Sequence, residues 1–248
     1  AEWLKLRTLV STWITSAITI AIMVLFGAGL AVGYAGSPER ADVAKDMISS
    51  GSTLGMIVVA VLGALVVTGE YASGQIRSSV VAVPHRGRLF AAKALVVAAF
   101  SFILGVTSVL LSYTVSYPFM KGHAGSLTNA HYLGLFWGTG LSFTVIALMA
   151  MGLGYLTRST AGAITVVVSL LFVVPIPFQI MTGHWKWATK VLGLLPDTLS
   201  TAVSDPFSQA HQWGQAGTAV FLQHWQAIAV FAAWAIIPMV IAAVVFTR

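Results

Sequence analysis

The chain has no cysteine and very little charge: of its 248 residues only 8% are Asp, Glu, Lys or Arg, against 58% hydrophobic. Without cysteine there are no disulfides and no thiolate metal sites, and thiol chemistry says nothing about the compartment. Soluble domains carry about 25% charged residues, so a chain this poor in charge, with mean hydropathy +0.89, is an integral membrane protein. The formal net charge of +6 is not gathered on a soluble face, and polytopic membrane proteins carry basic residues for topological reasons. Nucleic-acid binding is therefore not expected.

Further absences narrow the mechanism. No GxxxxGK[ST] loop is present, so the chain does not bind ATP through such a loop itself. There is no HExxH, no GxSxG and no pair of intramembrane aspartates, which leaves no catalytic residue to nominate. His123, His131, His184, His211 and His224 all fall on one side of the expected membrane, but none stands at i, i+4 from another, so no metal site is expected. The long apolar runs carry no interior Asp, Glu, Lys, Arg or His, with Lys93 and His131 only at their edges. Ion-coupled carriers bury such residues where the coupling ion binds. Energy for any uphill movement must then come from another protein.

What is present is a series of membrane-length runs. About 20 apolar residues cover the roughly 30 Å of hydrocarbon at about 1.5 Å per residue, which places spans near 13–33, 52–69, 92–116, 132–156, 160–181 and 226–246. The expected fold is an all-α membrane protein of six spans, a single transmembrane domain over 1–248. The side holding both termini carries Lys5, Arg7, Arg77, Arg86, Arg88, Lys93, Arg158 and Arg248, with Glu2 and Glu70 as its only acids. On the other side Arg40, Lys45, Lys121, Lys186 and Lys190 are matched by Glu39, Asp42, Asp46, Asp197 and Asp205. The positive-inside rule then puts both termini in the cytoplasm.

Local patterns add detail. In AEWLKLRTLVSTW, Trp3, Leu6, Leu9, Val10 and Trp13 share one side of a helical wheel and Lys5, Thr8 and Thr12 lie opposite. Either an interface helix or the basic flank of the first span would read this way. The apolar run that follows is too long for a cleaved signal peptide. Thr157-Arg158-Ser159 is a short link, so spans four and five are antiparallel neighbours. Between Thr182 and Trp225, His184 to Leu195 and Asp197 to Val203 read as short helices parted by Pro196. Trp185, Trp187, Trp213 and Trp225 suit the headgroup region, so these helices dip into the outer leaflet or form an external loop. Pro175, Pro177 and Pro238 are expected to break or bend their spans. The pairs Gly29/Gly33 and Gly134/Gly138 have the small-xxx-small spacing of close helix packing.

The stretch from Gly69 to Lys93, GEYASGQIRSSVVAVPHRGRLFAAK, is the longest basic interruption, with Arg77, Arg86, Arg88 and Lys93 against the single acid Glu70. Glu70 and Arg77 stand about two turns apart and share a side if the helix continues past the membrane. Gly74 leaves room for a neighbour, Pro84 disfavours helix at Val83, and His85 to Arg88 form the turn into span three. A bent polar segment at the base of two spans would pass a push from a soluble partner into the bilayer. A topogenic loop with Glu70 pairing an arginine fits the same residues.

The run Glu70-Tyr71-x-x-Gly74-x-Ile76-Arg77, followed by Ala82-Val83-Pro84-x-Arg86-x-Arg88 and Ala92-Lys93, resembles the second-to-third-helix loop of ATP-binding-cassette type 2 (ABC-2) exporter permeases, commonly EYxxGTIRxTLxAxPxRxxxxxAK. Glu2-Trp3-x-Lys5-Leu6-Arg7-Thr8 is similar to the amphipathic start of that family, and Leu195-Pro196 before the second short helix also fits. Gln75 departs from the usual Thr.

The resemblance implies an exporter half in the plasma (inner) membrane. Glu70, Tyr71, Gly74, Gln75, Ile76, Arg77, Pro84, Arg86 and Arg88 would form a coupling helix on a cytoplasmic ABC ATPase, present in two copies. Trp3, Lys5, Leu6 and Arg7 would lie along the inner leaflet against membrane lipid. A second permease, identical or related, would complete the pore, with cargo passing along faces of spans two and five. No cofactor is implied on this chain; ATP and Mg would sit on the ATPase. The cargo would be amphipathic or lipid-like. Two readings of other classes remain: a stand-alone carrier or channel, and a non-transporting membrane anchor or assembly protein.

Overall fold

The computed structural model describes residues 2–36, 44, 46–75, 86–120, 126–204, 222 and 224–247. Among these described residues six helices are long and apolar enough to cross a membrane: Val10–Ala35, Asp46–Ala72, Arg86–Phe119, Ala130–Thr157, Thr160–Met181 and Trp225–Phe246. They enclose all six expected spans, and among the described residues there is no strand.

The fourth span is the hub. Two-thirds of its most apolar window (67%) is buried, against 17% for the sixth span, and it packs on the second, third, fifth and sixth. Small residues let the backbones meet: a Cβ on Gly63 of the second span would collide with the Ala147 carbonyl oxygen, and one on Gly105 of the third would sit 2.8 Å from Gly140 Cα. Gly152 meets Pro238 of the sixth span in the same way, at 2.8 Å from the Pro238 carbonyl carbon. Of the expected glycine pairs, Gly138 approaches Ser204, whereas Gly29 and Gly33 face open space.

The prolines sit differently in the two spans that carry them. Helix His224–Thr247 runs through Pro238. In the fifth span a π-turn over Ser169–Val173 precedes Pro175; Val174 N donates to Ser169 O at 2.8 Å, and helix resumes as Pro175–Met181. Pro175 occupies a first-turn position, where its missing N–H matters least. A second π-turn, Val24–Ala28, lies in the first span.

On the side of the second-span N-terminus, two short helices, Lys186–Gly193 and Pro196–Val203, take up much of the fifth-to-sixth connection. They are packed rather than loose. Leu199 and Val203 cluster with Val145, Phe231 and Ala235, and Trp234 Nε1 donates to Leu194 O at 2.9 Å. Thr53 Oγ1 donates to Asp197 Oδ1 at 3.2 Å, tying this cap to the second span. His131 Nε2 lies 3.1 Å from Asp46 Oδ1 at the same end of the molecule. Trp213 lies outside the described residues.

The amino-terminal segment is helical over Glu2–Thr8 but does not continue straight into the first span. Leu9 is extended (φ −76°, ψ 121°), so a single wheel cannot describe both sides of it. Leu6 and Thr12 are buried while Trp3, Leu9, Val10 and Trp13 are exposed, which separates residues that share a face on a continuous helix.

Candidate functional site: the base of the second and third spans

The second span ends sooner than the wheel across Glu70 and Arg77 requires. Its helix stops at Ala72; Ser73 N donates to Gly69 O at 3.1 Å, and Gly74 takes φ +71°, a left-handed turn suited to glycine. Nothing lies within 4 Å of where a Gly74 Cβ would be. Gln75 is exposed. Ile76, Arg77 and Pro84 lie outside the described residues. Arg86 and Arg88 lie within the helix Arg86–Ser116 rather than in a turn before it, and both are exposed.

Glu70 is not part of this exposed set. Its carboxylate receives Lys93 Nζ at 2.5 Å, with only 4% of the Glu70 side chain and 1% of Lys93 exposed. In the sequence Lys93 stands only at a span edge, and no partner for it is announced. The structure makes Glu70 and Lys93 one buried ion pair across the second and third spans. Opposite charges at the facing ends of consecutive antiparallel helices were the available signal.

Around the pair, the other spans converge. Tyr71 meets Tyr155 of the fourth span edge-on, with centroids 6.4 Å apart. Arg158 stands 5.7 Å over the Tyr71 ring, in cation–π range. Phe90, Tyr155 and Phe246 form a triangle of rings at 5.0, 5.1 and 6.4 Å, joining the third, fourth and sixth spans. Arg86 Nη1 reaches Phe246 O at 3.5 Å. Thr68 and Thr160 hydroxyls, 2.5 Å apart, bring in the fifth span. Arg158 itself adopts φ +52° as it ends the fourth span, and Ser159 Oγ accepts from Gly162 N to start the fifth. Phe90, Tyr155, Arg158 and Phe246 thus join the candidate site, although the loop motif does not announce them. Lys93, at the last position of that motif, belongs to the buried brace rather than to the exposed segment.

A buried ion pair is stabilising only when its geometry offsets the desolvation of both charges. Here it fixes register: sliding either span by one residue would carry one charge away from its partner. The arrangement is a rigid knot tying the ends of five spans, with exposed Gln75, Arg86 and Arg88 beside it.

These features define a multi-pass α-helical membrane protein with a charged, internally braced end. Residues 1–176 match the family described as ABC-2 family transporter protein. The match covers well over half of the chain, which belongs to that family as a membrane permease component of an ABC transporter. It ends within the fifth span. No curated protein and no solved structure matches the chain.

Proposed function

We propose that this chain is the permease subunit of an ATP-driven exporter, worked by a separate nucleotide-binding subunit that docks on the segment between the second and third spans. The observation that carries this reading is the knot itself. Glu70–Lys93 and the Tyr71–Arg158 and Phe90–Tyr155–Phe246 contacts link the base of that segment to the surrounding spans, so a displacement applied there moves them together.

The cations beside the knot support a partner. Arg86 and Arg88 both stand exposed at the foot of the third span. An acidic cleft on an ATPase would make use of them. In this scheme two ATPase subunits carry ATP and Mg, alternate between open and closed forms, and bias which arrangement of the spans is favoured. A second permease faces the first, both termini lie in the cytoplasm of a cell whose plasma membrane holds the complex, and the Lys186–Gly193 and Pro196–Val203 helices close the outer mouth. The cargo is amphipathic or lipid-like.

The test uses an exposed residue so that folding is spared. Arg88→Glu is expected to abolish co-purification with the ATPase and its stimulation, while the chain inserts and melts as the wild type does. Unchanged association with Arg88→Glu and Arg77→Glu together would contradict the proposal.

A further inference from the structure

The corner at Leu9 encloses an apolar cleft of about 160 Å³ lined by Trp3, Leu6, Arg7, Thr12, Trp13 and Phe100. Its walls are held. Leu6 is 4% exposed and anchors the amino-terminal helix to the bundle. Trp13 Nε1 donates to Arg7 O at 2.8 Å, clamping the indole across the corner. Trp3 meets Phe100 of the third span edge-to-face, centroids 6.4 Å apart. The mouth is open, with both tryptophans exposed.

The depth of this cleft follows from the helix register. Ser112 Oγ donates to Met23 O at 2.7 Å, which sets the first and third spans side by side. At about 1.5 Å per residue, Val10 lies about 20 Å below that level and Lys93 about 28 Å below it. The exposed apolar side chains of the first span run from Val10 through Ile14, Ile18 and Leu25 to Leu30, about 30 Å of helix and so about one hydrocarbon thickness. Val10 and Trp13 therefore mark the boundary of the hydrocarbon, and Arg7 stands at headgroup level. Trp3 and Trp13 suit this position, their rings apolar and their N–H groups polar.

We propose that this cleft holds one acyl chain of an anionic membrane phospholipid, whose phosphate is bound by Arg7. The apolar walls take a short length of hydrocarbon and leave the rest of the lipid in the bilayer. Arg7 is exposed, and among the described residues no carboxylate pairs with it, so its planar donor fork is available to phosphate oxygens. A lipid seated there spans the joint between the amino-terminal helix and the third span and holds the corner at Leu9 closed. Such a resident lipid is independent of how transport is powered.

The full chain is purified in mild detergent, supplied with phosphatidylglycerol or phosphatidylcholine of matched acyl chains, and weighed by native mass spectrometry. The wild type is expected to retain one phosphatidylglycerol about tenfold more strongly than phosphatidylcholine. Arg7→Gln removes that headgroup preference, Trp13→Ala lowers retention of both lipids, and Lys190→Gln, an exposed cation at the opposite end, changes neither. Equal retention in wild type and Arg7→Gln, or loss of preference with Lys190→Gln, would overturn the proposal. Arg7→Gln keeps the apolar lining and the backbone oxygen that holds Trp13, so the test holds whether or not Trp13→Ala folds.

Discussion

Glu70 and Lys93 give up nearly all their water on folding and face each other as an ion pair. Removing one takes the facing counter-charge from the other while it stays buried, so Glu70→Ala or Lys93→Ala is expected to lower stability by about 3–5 kcal/mol. The double change Glu70→Met with Lys93→Met removes both charges and should lose less than either single change, as read by thermal unfolding in detergent. Function assays on Glu70 variants alone would therefore mix coupling with folding. Asp197, on the opposite cap, behaves differently. Burial raises its pKa, and the Thr53 hydrogen bond only partly opposes this. A raised carboxyl pKa means the folded state binds the proton more tightly than the unfolded chain. Its contribution is then full below the ordinary aspartate range, about pH 3.9, and is lost as pH rises through the folded value. Melting temperature should fall across that window, and Asp197→Asn should flatten the fall.

Among the elements, the spans were legible because a run of apolar residues long enough to cross hydrocarbon has few other uses. Which face of each span meets another was not. Gly29/Gly33 and Gly63 look alike as sequence, yet only Gly63 lies where a backbone approaches. Gly63→Ala is expected to cost about 1–3 kcal/mol through overpacking against Ala147, whereas Gly69→Ala, in open space on the same helix, should be neutral or stabilising by up to about 1 kcal/mol. Comparing the folded fraction of the two by size-exclusion chromatography and melting checks this. The corner at Leu9 escaped the wheel because no glycine or proline announces it; tertiary burial of Leu6 and Thr12 selects it. The early stop of the second span, by contrast, rests on Gly74, whose left-handed turn a sequence reader could have weighed against a continuing helix.

For the whole molecule, the family was legible from the loop motif, but the knot behind that loop was not. Contacts among Glu70, Lys93, Tyr155, Arg158 and Phe246 depend on how antiparallel helices far apart in sequence come into register. Once they do, the end of the molecule bearing Gln75, Arg86 and Arg88 becomes a braced base that an engine could push. The most direct measurement places a photo-crosslinking amino acid at Gln75 in the chain expressed in its native membrane, with capture followed by mass spectrometry. The account predicts a crosslink to a soluble protein with a phosphate-binding loop, lost when Arg88 is changed to Glu. Crosslinks only to lipid, or modification of residue 75 by a membrane-impermeant reagent added outside the cell, would contradict it.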